Sequence, residues 1–185
     1  MNSLPEGYRA VVIGATGGIG AAVHAALAAD PRCGHLLGLH RRSEPPLELT
    51  DEASIAAAAA HVRATLGAVE LVFDATGALA IDGHPPEKTI RRLDPAVMAR
   101  SMWINAIGPA LLIKHFAPLL PRRERALFAT VSARVGSISD NRRGGWISYR
   151  ASKAALNQVV RTAAIELGFR HPRAVLVGLQ PGTVA

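Results

Sequence analysis

Two residues in the last third of the chain have types and a spacing that suit proton transfer. Tyr149 and Lys153 lie four residues apart, so on a helix both side chains project from the same face. A tyrosine with a pKa of about 10 is a weak acid–base catalyst at neutral pH, but a nearby ammonium stabilises the phenolate and lowers that pKa. We therefore predict that Lys153 lowers the pKa of Tyr149 and that the pair acts as an acid–base unit.

A glycine-rich run near the start of the chain suits the binding of a pyrophosphate. Gly14, Gly18 and Gly20 follow an apolar segment and lead into an alanine-rich one. Glycines at such a junction allow a tight turn and a close approach to phosphate, and the first N–H groups of the following helix attract the anion. The spacing Gly-x-x-x-Gly-x-Gly differs from the G-x-G-x-x-G dinucleotide fingerprint. Together with the Tyr-Lys pair, the run nevertheless predicts nicotinamide-dependent redox chemistry.

The end of the second apolar segment indicates which nicotinamide dinucleotide is bound. An NAD-specific site commonly has an acidic residue there, which accepts hydrogen bonds from the adenosine ribose. This chain has Arg41 and Arg42 nearby instead, and guanidinium groups suit a 2′-phosphate. We predict NADP as the preferred cofactor, with NAD possible. The other interpretation is that both arginines are ordinary surface residues.

Apolar strands alternate with helix-like segments, which predicts a parallel sheet covered on both faces by helices. The predicted strands are 10–13, 35–39, 69–73, 126–131 and 174–179, and the predicted helices are 18–29, 51–66 with Thr50 as N-cap, 94–120 and 149–167. Pro109 predicts a kink or a local rearrangement in the third helix. The fold class is an α/β, Rossmann-type doubly wound domain over 1–185. A doubly wound domain rarely ends directly after an internal strand, so we expect a last strand and helix beyond residue 185.

Composition and charge limit the class of protein. The 185 residues are 49% hydrophobic and 19% charged, enough to bury one core. Cys33 is the single cysteine, which fits a reducing compartment, and no apolar run has the length of a signal peptide or membrane span. We expect a cytoplasmic protein with no membrane partner and no metal site. The net charge is +7, but the basic groups are scattered, so no nucleic-acid partner is predicted.

Five motifs in combination resemble the short-chain dehydrogenase/reductase family. In chain order they are the glycine run 14–20, Asn105 in Asn-Ala-Ile-Gly-Pro, the segment 132–136, Tyr149-x-x-x-Lys153 and Pro181-Gly182. The match covers essentially the whole chain. The segment 132–157 is most similar to the carbonyl-reductase-like branch that includes C-factor and Sniffer.

The resemblance implies a role for each matching residue. Tyr149 would donate a proton to a carbonyl, and Lys153 would lower the pKa of that tyrosine and bind the nicotinamide ribose. Asn105 would hold a water that links the lysine to solvent. Ser132 would bind the substrate oxygen, with Ser137 or Ser139 as substitutes. The implied cofactor contacts are Gly14, Thr16, Gly18, Ile19, Gly20, Arg41, Arg42, Ala75, Gly77, Tyr149, Lys153, Pro181, Gly182 and Val184.

Two positions depart from the family pattern. The family often has Asn-Asn-Ala-Gly where this chain has Asp74-Ala75-Thr76-Gly77, so the amides that brace the sheet are missing. The usual serine pair is replaced by Ser132-Ala133, and a count back from Gly136 puts the catalytic serine position at Ala133.

The resemblance and the residues together predict an NADP-preferring oxidoreductase that transfers a hydride between the cofactor and a carbonyl or secondary alcohol of a small molecule. The alternative is a dinucleotide-binding regulatory or signalling protein with little or no turnover, which the irregular serine and Asp74 both allow. Proteins of this family often pair through helices equivalent to 95–120 and 149–167, so we expect a homodimer or homotetramer.

Overall fold

One parallel five-stranded sheet carries the fold of the computed structural model, which describes residues 2–182. The strands lie in the order β2-β1-β3-β4-β5. They are β1 Tyr8–Ile13, β2 Cys33–Leu39, β3 Leu71–Asp74, β4 Ala126–Val131 and β5 Ala174–Leu179. The predicted bounds of β4 and β5 agree with the structure to the residue. The predicted parallel α/β sheet is therefore confirmed.

The apolar run of β1 is buried on both faces of the sheet. Successive strand residues point to opposite faces. Val11 and Ile13 accordingly belong to one buried apolar cluster, whereas Ala10 and Val12 belong to a second. A strand that is covered on both sides needs continuous rather than alternating apolar residues, which explains the sequence pattern.

Within residues 2–182, five α-helices provide the cover. They are α1 Gly18–Ala28, α2 Glu52–Leu66, α3 Pro95–Met102, α4 Gly108–Phe116 and α5 Ile147–Arg170. The prediction of Thr50 as the N-cap of α2 is wrong. Asp51 caps the helix by accepting a hydrogen bond from the N–H of Ala53 at 3.0 Å, while Thr50 bonds to the carboxylate of Glu48. Aspartate is at least as good an N-cap as threonine, so residue type alone does not select Thr50 over its neighbour Asp51.

A π-helical turn divides the predicted helix 94–120. The turn is Trp103–Ile107, and the N–H of Gly108 donates to the carbonyl of Trp103 five residues earlier. Pro109 has no N–H to offer the carbonyl of Asn105, so the α-helical bonding pattern is interrupted there. The predicted rearrangement at Pro109 is confirmed, and it places Asn105 inside the turn.

The run Pro95–Leu119 has the length and composition of a membrane-crossing helix. It contains 25 residues and has a mean hydropathy of 1.4. Core helices of water-soluble proteins share these properties. Leu112, Ile113 and Phe116 of this run belong to the larger buried cluster, so packing against the sheet accounts for its apolar side.

The strand order creates a crevice at the carboxyl edge of the sheet. The chain passes from β1 outward to β2 and then returns to the other side of β1 to form β3. The segments after β1 and β3 therefore leave in opposite directions, and ligands of open α/β sheets bind at such a switch point. Gly14 follows β1 and Ala75 follows β3. The predicted site residues thus lie around this crevice.

An ion pair joins β1 to the residue that precedes β3. The Nη2 of Arg9 donates to Oε1 of Glu70 at 2.6 Å, and the Nε and backbone N–H of Arg9 donate to Oε2 at 3.1 and 2.8 Å. Glu70 is 2% exposed. Burial acts to raise the pKa of Glu70, but the bonds from Arg9 outweigh it and hold that pKa below its usual value. The pair therefore stabilises the register of β3 beside β1.

Replacement of Glu70 by Gln should lower the free energy of unfolding at pH 7 by about 1.5–3 kcal/mol, because a charge-assisted bond is lost. The folded pKa lies below the unfolded value of about 4.3. The carboxylate therefore stabilises the fold above that pH, and the effect is lost as the pH falls through the folded pKa. Urea denaturation at pH 7 and pH 3 measures the effect, with Glu166→Gln on the exposed side of α5 as the control. An equal difference at both pH values would contradict the assignment.

Candidate active site

The turn between β1 and α1 forms a backbone cradle. Gly14 has a φ of +79°, which favours glycine, and its carbonyl accepts a hydrogen bond from the N–H of Gly17 at 3.0 Å. A Cβ at Gly20 would lie 2.1 Å from that carbonyl oxygen, so the helix approaches the turn this closely only with glycine there. Within residues 2–182 no side chain caps α1 at Gly17. The first N–H groups of α1 are therefore available to an anion.

A cavity of about 810 Å³ lies over this turn and the switch point. It is within the size range of small-molecule and cofactor sites. Segments that follow β1, β2 and β3 all contribute to its wall. Six predicted cofactor contacts line it, namely Gly14, Thr16, Arg41, Arg42, Ala75 and Gly77. The structure therefore brings the predicted phosphate turn, the two arginines and the loop after β3 to one site.

The remaining predicted cofactor contacts lie outside the lining of this cavity. Gly18 and Ile19 belong to the first turn of α1, and Gly20 packs beneath the turn. Pro181 and Gly182 are exposed after β5. Val184 lies outside the described residues. These assignments stay predictions.

The cavity also contains an ion pair that the sequence does not predict. The Nε of Arg100 lies 3.7 Å from Oδ2 of Asp82, and both residues line the cavity. Arg100 lies on α3 and Asp82 in the long loop after β3. No pattern in the sequence relates these two elements, so their proximity becomes visible only in the fold.

Lys153 is buried at the carboxyl end of the sheet, where it is 2% exposed. Its Nζ donates to the carbonyl of Val131, the last residue of β4, at 2.8 Å. Burial lowers the pKa of Lys153 to about 8, although the nearby charge of Asp74 acts in the opposite direction. A Cβ at Gly77 would lie 3.1 Å from the Nζ. The lysine therefore lies directly behind the part of the cavity wall that Gly77 forms.

Tyr149 lies one helical turn before this lysine. The Nζ of Lys153 is 5.9 Å from the centroid of the Tyr149 ring, so the predicted shared helix face is confirmed. Within the described chain, the phenol hydroxyl makes no hydrogen bond. Burial raises the pKa of Tyr149. The prediction that Lys153 lowers this pKa stays a prediction. An ordinary tyrosine is protonated at neutral pH, and this is the form that can donate a proton.

Asn105 fastens the loop after β3 to the π-helical turn. It is 0% exposed. Its Oδ1 accepts a hydrogen bond from the N–H of Ala78 at 2.9 Å, and its Nδ2 donates to the Ala78 carbonyl at 2.8 Å. A Cβ at Gly77 would lie 3.0 Å from this Oδ1. The side chain thereby positions residues 77–78 in front of Lys153, while its role toward a water molecule stays a prediction.

Asp74 braces the sheet in place of the expected amide. The hydroxyl of Thr130 on β4 donates to its Oδ2 at 2.6 Å, and the N–H and hydroxyl of Thr76 donate to its Oδ1 at 2.9 and 2.5 Å. Complete burial raises the pKa of Asp74, while these three bonds and the charge of Lys153 act to lower it. The family's bracing amides are missing here, and a carboxylate braces the sheet in their place. It also adds a negative charge near the lysine.

Ser132 is largely closed off from solvent, and its assignment as the residue that binds the substrate oxygen stays a prediction. It is 3% exposed, and its hydroxyl donates to Oδ1 of Asn157 on α5 at 2.6 Å. The hydroxyls of the substitutes Ser137 and Ser139 lie 3.5 Å apart on the loop after β4. Ala133 occupies the family position for the serine and has no hydroxyl. Within the described residues the Tyr149 hydroxyl has no hydrogen-bond partner, so it too is available to a substrate oxygen.

A carboxylate from the loop after β3 holds the start of α5. Trp146 precedes the helix with a φ of +54°, and its side chain makes no capping bond. The carboxylate of Glu87 instead accepts from the N–H of Ser148 at 3.2 Å and from the Ser148 hydroxyl, and the Glu87 carbonyl accepts from the N–H of Trp146. A negative charge at a helix N-terminus is also favourable for the helix dipole. Glu87 therefore fixes α5 immediately before Tyr149, and its separation of 61 residues from Ser148 explains why the sequence does not predict it.

Two glycine-to-alanine substitutions should distinguish the effect of close packing at Gly20 from the effect of replacing a glycine that has open space around it. Gly20→Ala should lower the free energy of unfolding by about 1–3 kcal/mol, because the new methyl group meets the Gly14 carbonyl. Gly18→Ala places a methyl group where nothing lies within 4 Å. It should leave stability unchanged or raise it by up to about 1 kcal/mol. Urea denaturation measures both, and equal effects of the two changes would refute the close approach.

Replacement of Asp74 by Asn should lower the pKa of Lys153 below about 8, because the charge that opposes the effect of burial is removed. The chain has three lysines, Lys88, Lys114 and Lys153, so a titration of ¹³C-labelled lysine by NMR resolves each. Asp51→Asn is the control, since asparagine also caps helices. A pKa of Lys153 that is unchanged in Asp74→Asn would show that the carboxylate does not act on the lysine.

Comparison with known proteins agrees with this geometry. A family model described as enoyl-(acyl carrier protein) reductase matches residues 14–184. The chain is 35% identical over 147 residues to 1-hydroxy-2-glutathionyl-2-methyl-3-butene dehydrogenase of Rhodococcus sp. (strain AD45), which covers 77% of this chain and 58% of that protein. It is 41% identical over 92 residues to the C-signal of Myxococcus xanthus, covering 50% of this chain and 54% of that protein. The chain thus spans a little over half the length of these two relatives.

Solved structures give the same result. A candidate carbonyl reductase, Sniffer of Caenorhabditis elegans, is 26% identical with a TM-score of 0.83, and the match covers 97% of this chain and 85% of that chain. An NADPH-bound carbonyl reductase from chicken fatty liver is 27% identical with a TM-score of 0.80, covering 98% and 81%. The matched family model and fold, the phosphate turn and the placement of Tyr149 beside the buried Lys153 lead to one conclusion: the chain belongs to the short-chain dehydrogenase/reductase family.

Proposed function

We propose that this chain forms the cofactor-binding and catalytic part of an NADP-preferring oxidoreductase. The reaction is hydride transfer between the cofactor and a carbonyl or secondary alcohol of a small molecule. The observation that carries the proposal is the position of Lys153, directly behind the Gly77 wall of the cavity and one helical turn from Tyr149. A proton donor and a dinucleotide-sized site thereby meet at one edge of the sheet.

The residues of the cavity fit a nicotinamide dinucleotide. The turn at Gly14 and the uncapped start of α1 suit its pyrophosphate, since both offer backbone N–H groups and no bulky side chain. Arg41 and Arg42 suit a 2′-phosphate at the end of β2. The chicken carbonyl reductase, which has NADPH bound, supports the choice of cofactor by its similarity.

The proton transfer follows from the environments of two side chains. A bound nicotinamide supplies or accepts the hydride. During reduction, the Tyr149 hydroxyl donates its proton to the carbonyl oxygen as that oxygen gains negative charge. During oxidation, the phenolate accepts the proton of the alcohol. The ammonium of Lys153 stabilises the phenolate, and a lysine pKa of about 8 allows this group to exchange protons near neutral pH.

A regulatory dinucleotide-binding protein with little turnover is the second candidate. It is favoured by the absence of a hydroxyl at Ala133 and by the bond that engages Ser132 with Asn157. The similarity to the C-signal of Myxococcus xanthus also supports it. In this case the cavity would bind the cofactor without supporting catalysis.

Cofactor oxidation and cofactor binding separate these candidates. Absorbance of NADPH is followed with a panel of aldehydes and ketones, and calorimetry measures NADPH binding in parallel. Substrate-dependent oxidation supports the oxidoreductase. Binding without oxidation across the panel supports the regulatory candidate, and absence of binding contradicts both.

The double variant Arg41→Ala, Arg42→Ala should lose its preference for NADPH over NADH. A charge-assisted bond to the 2′-phosphate is worth about 1.5–3 kcal/mol, which corresponds to a preference of roughly tenfold to a hundredfold. Dissociation constants for both cofactors are measured by calorimetry. The control is Arg122→Ala, Arg123→Ala, which makes the same charge change before β4. Equal constants in the unmodified chain, or an unchanged preference in the variant, would contradict the assignment.

Assembly and location are part of the same proposal. We infer a cytoplasmic homodimer or homotetramer that pairs through α3, α4 and α5. Exposed apolar side chains support such pairing: Trp103 and Ile107 lie in the π-helical turn between α3 and α4, and Ile165 lies on α5. Light scattering at micromolar concentration measures the mass, and a monomer would count against the pairing.

A further inference from the structure

A second cavity, of about 370 Å³, lies beside the start of α5 and is lined mainly by arginines. Its lining residues are Arg134, Val135, Asp140, Arg142, Arg143 and Arg150. Four guanidinium groups and one carboxylate give this concave surface a formal charge of +3. Such a surface attracts anions, and the planar guanidinium matches carboxylate and phosphate geometry.

Arg150 is already held in place by the loop after β4. Its Nε donates to the carbonyl of Gly145 at 2.9 Å, its Nη1 to that of Val135 at 3.4 Å and its Nη2 to that of Gly144 at 3.3 Å. A guanidinium has five N–H donors, so two remain for a ligand. Because this side chain is ordered before binding, the entropic cost of engaging an anion is small.

The other three arginines have donors to spare. Arg134 forms two hydrogen bonds to Asp140, at 2.7 and 3.3 Å, which leaves three of its N–H groups. Arg142 and Arg143 are exposed and have no hydrogen bond or ion pair with any residue in the described part of the chain. The four guanidinium groups of the cavity repel one another, and the single negative charge of Asp140 offsets this repulsion only in part. A bound anion would reduce the remaining repulsion.

The arginine cavity adjoins the proposed proton donor. Arg150 follows Tyr149 directly in the first turn of α5. The carbonyl that Arg150 binds belongs to Gly145, the neighbour of Trp146, and the Trp146 ring lies edge-on to the Tyr149 ring at 6.4 Å. One loop therefore forms both the wall of this cavity and the surroundings of Tyr149. A substrate that engages both features would have its carbonyl at the Tyr149 hydroxyl and its far end at the arginines.

We propose that the substrate carries an anionic group, a carboxylate or a phosphate, remote from its reacting carbon and bound by this arginine cavity. The inference rests on the proposed function, because it assigns the substrate class of that reaction. Arg41 and Arg42 line the other cavity. The two basic sites therefore serve different anions, one on the cofactor and one on the substrate.

A matched set of ketones tests the inference. Straight-chain methyl ketones that end in a carboxylate, beginning with levulinate and lengthened by pairs of methylenes, are each compared with their methyl esters. The same chains ending in a phosphate monoester distinguish the two anions. At the length that reaches the arginines, we expect the KM of the anionic ketone to be roughly tenfold to a hundredfold below that of the ester, with similar kcat.

The double variant Arg142→Gln, Arg143→Gln should remove this preference and leave the ester unaffected. Its matched control is Arg122→Gln, Arg123→Gln, an equal charge change at the amino end of β4, which should keep the preference. An equal KM for anion and ester at every length overturns the inference, as does a preference that survives in the Arg142 and Arg143 variant. Turnover of the esters in those cases leaves the proposed function intact.

A binding measurement tests the anion site even if no ketone is turned over. Calorimetry then measures the binding of the carboxylate and phosphate ketones to the NADP-saturated chain and to each of the two double variants, also saturated with NADP. Binding of an anionic ketone that is lost only in the Arg142 and Arg143 variant supports the anion site, even though the proposed function has failed. No binding, or binding that is equal in both variants, overturns it.

Discussion

The buried ammonium of Lys153 is the group around which the carboxyl edge of the sheet is arranged. Removal of a cation from water costs several kcal/mol unless polar partners replace the solvent. The Val131 carbonyl accepts a hydrogen bond from it at 2.8 Å, and Asp74 provides a compensating charge. Gly77 leaves room for the lysine head, and Asn105 holds the backbone beside Gly77. The ends of β3 and β4, the loop after β3 and the π-helical turn therefore all help to accommodate the charge of Lys153.

Burial shifts the pKa values of Tyr149 and Lys153, the proposed catalytic pair, in opposite directions. It lowers the pKa of Lys153 to about 8 and raises the pKa of Tyr149, so it disfavours the charged form of each. An ammonium–phenolate pair is therefore costly at rest. In the proposed reaction this pair becomes favourable once the tyrosine has given its proton to a substrate, since the two charges then stabilise each other. The proposal therefore assigns to the pair an interaction that is stronger in the transition state than before it, which is what catalysis requires.

Features that depend on local pattern were predictable from the sequence. Continuous apolar runs predicted the parallel strands, and positions just after those strands, such as Gly14 and Arg41, predicted the cavity. Features that depend on distant partners were not. The hydroxyl of Ser132 donates a hydrogen bond to Asn157, which lies 25 residues later in the chain. Glu87 caps α5 by accepting a hydrogen bond from Ser148, which lies 61 residues later. Neither partner carries a motif, because one carboxylate or amide among many is selected only by the folded geometry.

Turnover by Tyr149→Phe tests the assignment of the proton donor most directly. The change removes the hydroxyl and keeps the ring, so the packing of α5 and the binding of NADPH should be nearly intact. We expect the rate of NADPH oxidation with a reactive carbonyl substrate to fall by about 10²–10⁴-fold, the usual contribution of general acid catalysis, while the dissociation constant for NADPH changes less than about twofold. A variant that retains more than about a tenth of the parent rate would place the proton donor elsewhere and contradict this account.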